Sequence, residues 1–256
     1  MAMVNEWQRP ETSPYPRVYR RFKGKKPMPD GRVADFWVQD ATVDMDEEIA
    51  DHMMTYFSRD EPMSRSLNYH EEMSDEMRQM GKAHMKSLVH KRLSVVAMTD
   101  WPDGKPHVAG VNLLYVFCKG DEKNIPQIPD KKIKKFQRVM FLTLEMVDVY
   151  KKYGVDKFTT ALGLSVKPEF RGQNLGVEIL KGRAQMTSAI GLQLTLNNFT
   201  GFASQKQAER AGYELLVELP YSEVKDEEGN EMFPGIEAKT LQFRAKYVNP
   251  NEDNFD

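Results

Sequence analysis

The order of hydrophobic patterns over residues 158–248 constrains the fold more than any other feature of this sequence. Short apolar runs that predict strands alternate there with longer stripes at helical spacing. The predicted strands are 158–166, 192–196, 213–219 and 239–248, and the predicted helices are 175–190 and 200–210. A chain that alternates in this way is expected to form a sheet with helices packed on its faces.

The first half of the chain predicts a different arrangement, in which consecutive strands pair with one another. The predicted elements are strands at 33–38, 93–98 and 108–117, and helices at 44–58, 70–88 and 136–150. The turn signal Pro102-Asp103-Gly104-Lys105 joins two of these strands as a hairpin. The two halves together predict an α/β domain whose mixed central sheet is antiparallel in its N-terminal half.

Composition narrows the function. The net charge of -2 argues against a nucleic-acid-binding protein, which usually carries a basic excess. The single cysteine, Cys118, cannot form an intramolecular disulfide and favours a reducing compartment. The sequence has no apolar run of membrane-spanning length, no apolar leader and no Cys or His spacing suited to zinc. It therefore predicts a cytoplasmic protein without membrane contact or metal, with a monomer favoured.

The two ends of the chain predict little order. The first 32 residues contain five prolines and little apolar periodicity, so residues 1–32 are expected to form a disordered arm. Seven Lys or Arg residues lie between Arg17 and Arg32. They favour a solvated tail, with a nuclear address or an arm that contacts phosphate as the alternatives. The domain itself is predicted over 33–248, and residues 249–256 are expected to fray.

The loop between the strand at 158–166 and the helix at 175–190 carries the chemistry. A helix that begins after such a loop presents unpaired backbone amides, and its dipole favours an anion. Gly172 and Gly176 allow a bulky ligand to approach the backbone closely. The loop therefore predicts a diphosphate site, although an ordinary strand–helix turn would have the same glycine content.

The order of residues in this loop resembles the acyl-CoA motif of the GNAT acyltransferases, Q/R-x-x-G-x-G/A. Here it reads Arg171-Gly172-Gln173-Asn174-Leu175-Gly176, with Asn174 at the middle glycine. Asn adopts left-handed backbone angles more easily than most residues. The resemblance implies a GNAT-like fold and acetyl-CoA as cosubstrate. The implied acetyl-CoA contacts are Leu164, Ser165, Val166, Arg171, Gly172, Gln173, Asn174, Leu175, Gly176, Val177 and Ser204.

A second segment supports the same resemblance. The residues from Ser204 to Tyr213 are similar to the helix that ends in the (L/A)-G-(F/Y) signature of many GNAT domains. In that family a Tyr four residues before the Gly often serves as general acid, and this position is Ala208 here. The chemistry is therefore expected to differ from that of the Tyr-dependent members.

The segment Tyr56-Phe57-Ser58-Arg59-Asp60-Glu61-Pro62 resembles the F-F-x-x-(D/E)-E-P segment of insect-type arylalkylamine N-acetyltransferases. That resemblance implies that Glu61 is the general base and that Thr200 and Ser204 are the two hydroxyl residues of the site. It implies an N-acetyltransferase for a small arylalkylamine such as dopamine, serotonin or tyramine.

The expected mechanism starts from the amine, which is mostly protonated at neutral pH and needs a base before it attacks a thioester. Partial burial would raise the pKa of Glu61 and suit it to this role. Backbone amides in 164–166 are the candidate oxyanion donors, and Ser204 is expected near the leaving sulfur. The histidines left open as alternative bases are His52, His70, His90 and His107.

Three alternatives to this function stay open at the level of the sequence. The chain could acylate another small amine such as a polyamine, use a longer acyl group, or bind acyl-CoA without turnover. Tyr56, Phe57 and the Met stripe of the helix at 70–88 could line an aromatic pocket or pack in the core.

Overall fold

The computed structural model describes residues 7–124, 129–226 and 228–249, and these form one eight-stranded sheet with helices on both faces. The strands are β1 (Val18–Lys23), β2 (Asp35–Asp40), β3 (Val95–Thr99), β4 (His107–Cys118), β5 (Lys157–Val166), β6 (Leu194–Phe199), β7 (Glu214–Pro220) and β8 (Thr240–Tyr247). The α-helices are α1 (Asp46–His52), α2 (Ser58–Asp60), α3 (Pro62–Ser66), α4 (Asp75–His90), α5 (Lys131–Met146), α6 (Val149–Tyr153), α7 (Leu175–Ala189) and α8 (Phe202–Arg210).

The sheet has the order β1-β2-β3-β4-β5-β6-β8-β7. Every neighbouring pair is antiparallel except β5 and β6, which are parallel and are connected through α7. The predicted mixed sheet with an antiparallel N-terminal half is therefore confirmed, and the loop before α7 lies between a strand and a helix as expected.

Two cores cover the faces of the sheet. One core places α1 and α4 against the sheet, with Ile49, Met53 and Val89 fully buried. The other places α7 against the opposite face, with Leu175, Ile179 and Met186 buried in it. The predicted helix at 136–150 is interrupted because Val147 adopts extended angles, so α5 ends at Met146 and α6 starts at Val149.

The N-terminal arm is more ordered than its composition predicts. Strand β1 pairs with β2 at the edge of the sheet, and the side chain of Arg9 forms a buried ion pair with Asp40 at 2.8 Å. This corrects the expectation of a disordered arm, because the arm gains its order from pairing with the domain. Residues 1–6 and 250–256, where most of the predicted frayed tail falls, lie outside the described residues.

Candidate active site

Strands β5 and β6 separate soon after they meet. Their only registered pair in the described chain is Thr159 with Thr195. Beyond this point a side chain replaces the backbone ladder, since Asn197 Oδ1 accepts hydrogen bonds from the Ala161 amide at 2.8 Å and from Thr160 Oγ1 at 2.9 Å. The sheet is therefore split toward the C-terminal ends of both strands.

A buried arginine fixes the base of this split. Arg183, on α7, is 1% exposed and donates to Thr195 Oγ1 at 2.7 Å and to the Leu196 carbonyl at 2.7 Å. It also donates to the Thr159 carbonyl at 3.2 Å. Its pKa is lowered by burial, and its hydrogen bonds go to neutral oxygens on both strands. The split is thus built from the protein's own side chains.

The strand register determines which amides of β5 face the split. The backbone amide of Lys167 donates to the Ala109 carbonyl at 2.9 Å, and Ser165 lies opposite Val111 in the ladder between β5 and β4. Since alternate residues of a strand direct their amides to opposite neighbours, Ser165 faces β4, while Leu164 and Val166 face the split. The Val166 carbonyl accepts from Arg171 Nε at 3.2 Å, which fits this orientation. Of the three predicted residues, two direct their amides into the split.

The loop before α7 has the geometry of an anion site. Gly172 and Asn174 both have left-handed backbone angles, with φ of 81° and 71°. In the described part of the chain, no protein acceptor pairs with the backbone amides of residues 172–176, whereas the Val177 amide donates to the Asn174 carbonyl. Such a run of free amides at a helix start is a site for phosphate. Asn174 therefore adopts the backbone angles that the middle glycine of the motif would supply.

Polar side chains surround this loop. Arg171 forms an ion pair with Asp60 at 2.5 Å, which ties the loop to α2. The Gln173 side chain is directed away from the loop and bonds the backbone of the N-terminal arm. The open face of Gly176 is occupied by the side-chain amide of Gln207 on α8. The amides of the loop thus lack protein acceptors in the described part of the chain. The space over Gly176 is filled by Gln207 in this structure, which corrects the expectation that a ligand approaches the backbone there.

Glu61 caps the N-terminus of α3. Its Oε2 accepts a hydrogen bond from the Ser64 amide at 2.6 Å, and its Oε1 is buried without a partner among the described residues. The residue as a whole is half-buried, but its carboxylate lies inside the protein. Burial raises the pKa of Glu61 above its ordinary value, while the Ser64 amide and the Thr200 hydroxyl oppose that rise. A carboxylate in this state is suited to accept a proton.

The segment that carries Glu61 bridges the split. The ring of Phe57 packs against Gly163 of β5, where a β-carbon would not fit, and Pro62 packs against Gly201, just after β6. Helix α1 leads into a π-helical turn at Met53–Phe57 before α2. Turns of this kind are frequent at functional sites. The carboxylate of Glu61 thereby lies at the open end of the split.

The turn after β6 brings the predicted hydroxyl residues to the same place. Thr200 lies close enough to Glu61 to lower its pKa. The Ser204 hydroxyl donates to the Gly201 carbonyl at 2.9 Å and accepts from the Gly201 amide at 3.3 Å, so it also stabilises the first turn of α8. Sequence reasoning missed Tyr221, whose hydroxyl donates to the Thr200 carbonyl at 3.0 Å. Burial and the nearby charge of Glu61 raise the pKa of Tyr221.

The other sequence candidates lie elsewhere. His90 and His107 are surface residues paired with Asp46 and Asp103, and His70 bonds Ser58. His52 is buried near Ser165, and burial lowers its pKa to about 4. The predicted Met stripe divides between core and surface, since Met73 packs against the core and Met80 is exposed. No helix of the described residues is both long and apolar enough to cross a membrane, and these residues form no cluster of His, Cys, Asp and Glu that could hold a metal.

Comparisons with known proteins agree with this geometry. No protein-family model matches the sequence, and a search of the curated proteins found no match. Among solved structures, the chain is similar to a protein designated arylalkylamine N-acetyltransferase 7 from the mosquito Aedes aegypti. The TM-score is 0.85 and the identity 29%, over 95% of this chain and 100% of the other.

Two more distant structures share the fold. Arylalkylamine N-acetyltransferase 2 from Aedes aegypti has a TM-score of 0.72 at 22% identity, over 84% of this chain and 99% of the other. A polyamine N-acetyltransferase from Drosophila melanogaster has a TM-score of 0.70 at 19% identity, over 84% of this chain and 100% of the other.

The split sheet, the amide loop and these likenesses define the chain as having the fold of the GNAT acyltransferases. Within that class it resembles the insect arylalkylamine N-acetyltransferases, as the sequence predicted. The predicted enzyme class, an N-acetyltransferase, is confirmed at that level.

Proposed function

We propose that the chain transfers the acetyl group of acetyl-CoA to the primary amine of a small arylalkylamine. The observation that carries the proposal is the buried carboxylate of Glu61 at the open end of the β5–β6 split. If the thioester of acetyl-CoA lies in the split, its reactive carbonyl ends beside Glu61. An amine bound there is close to both the base and the carbonyl that it attacks.

The donor side of the site fits coenzyme A. The diphosphate binds the free amides of residues 172–176, at the positive end of the α7 dipole. The pantetheine chain lies in the split, where the amides of Leu164 and Val166 have no strand to pair with. One or both of these amides donate to the oxyanion that forms on the thioester carbonyl.

The acceptor side supplies the proton transfer. Glu61 takes a proton from the substrate ammonium, directly or through a water molecule, and the free amine then attacks the thioester carbon. The carbon–sulfur bond breaks as the amide forms, and the second proton lost by the attacking nitrogen passes to the departing thiolate, which leaves as free thiol. Thr200 adjusts the basicity of Glu61 through its hydroxyl, and Ser204 borders the leaving sulfur from the first turn of α8.

The charges around Glu61 favour a monoamine. No charged neighbour in the described part of the chain shifts the pKa of Glu61, which responds to burial and hydrogen bonds alone. Its surroundings include Phe57, Pro62 and Met63, which are apolar. A second ammonium close to the first would lie near these apolar groups, at a desolvation cost. The carboxylate of the adjacent Asp60 already pairs with Arg59 and Arg171. This disfavours the polyamine alternative, although structural neighbours act on such amines.

The test is an assay of free thiol release with acetyl-CoA and a panel of arylalkylamines, aliphatic monoamines and polyamines. We expect turnover to be fastest with the arylalkylamines. Faster turnover with spermidine would support the polyamine alternative, and a preference for butanoyl-CoA would indicate a longer acyl group. Binding of CoA in calorimetry without turnover on any amine would identify a silent acyl-CoA-binding module.

A further inference from the structure

The N-terminal arm contacts Gly172 and Gln173 in the loop before α7, and Glu178 in the first turn of α7. The Lys26 backbone donates to Gln173 Oε1 at 3.1 Å and accepts from Gln173 Nε2 at 3.0 Å. Gln173 is 1% exposed, and these reciprocal bonds lie partly buried under the arm. They fix the backbone of the arm beside the free amides.

A second connection runs through Glu178 in the first turn of α7. Arg20, on β1, bonds Glu178 Oε2 at 2.7 Å, and Asn174 Nδ2 bonds Glu178 Oε1 at 3.2 Å. Both side chains of the Arg20–Glu178 pair are largely buried. The negative charge of Glu178 would otherwise offset the positive start of α7. Arg20 of the arm compensates that negative charge through the ion pair.

The third contact brings a positive charge onto the loop. Lys26 Nζ lies 2.9 Å from the position that a β-carbon on Gly172 would occupy. The side chain is exposed, and it forms no ion pair with a carboxylate in the described part of the chain. An ammonium next to free amides and the positive end of a helix is a repulsive arrangement, because all these charges have the same sign. An anion between them would convert the repulsion into attraction on every side.

We propose that the N-terminal arm forms part of the acyl-CoA phosphate site and that Lys26 is a ligand of those phosphates. The inference rests on the proposed function and extends it to a segment outside the GNAT-like region of the sequence. Gln173 acts as the positioning residue that holds Lys26 over Gly172. An ammonium suits this role because it binds phosphate as a point charge from a flexible stem.

The experiment compares Lys26→Ala and Lys26→Arg with Lys25→Ala as the matched control. Lys25 is the exposed neighbour on the same arm, so its loss removes the same charge without the contact. Dissociation constants are measured by calorimetry for CoA, 3′-dephospho-CoA and S-acetylpantetheine, which carries no phosphate. Thermal unfolding of each variant verifies that the arm remains folded.

We expect Lys26→Ala to weaken CoA binding about tenfold, because a charge-assisted hydrogen bond is lost. Lys26→Arg should retain most of the affinity, and S-acetylpantetheine should bind all variants alike. If the loss persists with 3′-dephospho-CoA, Lys26 contacts the diphosphate; if it disappears, Lys26 contacts the 3′-phosphate. Equal affinities of Lys26→Ala and Lys25→Ala for CoA would overturn the inference alone, whereas wild-type protein that does not bind CoA would overturn the proposed function.

Discussion

The donor and acceptor sides of the site are built in different ways. The donor side uses backbone amides and left-handed angles within a single loop, residues 171–177. The acceptor side uses the side chains of Glu61, Thr200 and Tyr221, which come from three separate segments. Recognition by backbone leaves a contiguous pattern in the sequence, whereas recognition by converging side chains does not.

The two sides also differ in their electrostatics. The donor side is positive, because it combines the free amides at the start of α7 with the ammonium of Lys26, whereas the charge of Arg171 is paired with Asp60. The acceptor side holds one buried carboxylate among apolar groups. Substitutions on the donor side should therefore change affinity for acetyl-CoA, and those on the acceptor side should change the rate of the chemical step.

The largest expected effect is that of Glu61→Gln. This change keeps a hydrogen-bond acceptor for the Ser64 amide but removes the base, so kcat should fall by about 10²- to 10⁴-fold. Steady-state kinetics with a saturating arylalkylamine measure the loss, and calorimetry should show CoA affinity unchanged. Glu76→Gln, at an exposed position of α4, is the matched control. A Glu61→Gln enzyme with normal kcat would remove Glu61 from the mechanism.

On the donor side, Gly172→Ala should raise the KM for acetyl-CoA about tenfold with kcat retained. An Ala at φ of 81° costs about 1–2 kcal/mol, and its methyl group would meet Lys26 Nζ. Gly191→Ala is matched in backbone geometry, with φ of 78° and no neighbour within 4 Å of the added carbon. It should lower stability similarly without changing KM. If Gly172→Ala mainly lowers kcat, the assignment of affinity to the donor side and of rate to the acceptor side is wrong.

The hydroxyl residues should give smaller effects. Thr200→Val removes a hydroxyl that lies near Glu61 and lowers its pKa, so kcat at neutral pH should fall about tenfold. Ser204→Ala should change kcat less than about threefold, because its hydroxyl bonds Gly201 in the first turn of α8. Both are read by steady-state kinetics. A loss near a hundredfold for Ser204→Ala would instead make Ser204 the proton donor to the thiolate.

The smallest effect concerns stability and pH. Because burial raises the pKa of Glu61 on folding, the folded protein binds the proton of this carboxyl more tightly than the unfolded chain does. The stability that comes from this tighter proton binding is fully present at pH values below the pKa of Glu61 in the unfolded chain. It is lost as the pH rises through the pKa of Glu61 in the folded protein. Glu61→Gln should therefore unfold at a higher temperature than wild type at pH ~8, and the difference should shrink at pH ~4. If the difference in unfolding temperature did not change with pH, the pKa of Glu61 would be the same in the folded and unfolded states, as expected for a carboxylate in solvent.

Much of the fold was predictable because its patterns are local. Strand β5, helix α7 and the left-handed angle at Asn174 follow from hydrophobic spacing and loop chemistry. Strand β1 was missed because half of its sequence, VYRRFK, is basic and its order comes from pairing with β2 and from the Arg20–Glu178 bond.

The acceptor side was predicted only in part. Glu61 and Thr200 were identified through the resemblance of short segments, and nothing in the sequence shows that they meet. Tyr221 lies in a 3₁₀ turn after β7, with no periodicity to mark it. One feature of the sequence could have identified Arg183. It is a charged residue within the broad apolar face of α7, and a helix with such a face is predicted to be buried.

The buried guanidinium of Arg183 has a consequence for turnover. Since side chains bridge β5 and β6 where the backbone ladder ends, the separation of the two strands belongs to the fold and does not depend on a bound thioester. The two strands would therefore keep their positions when the product thiol leaves, and the next acetyl-CoA would bind without a rearrangement of the sheet.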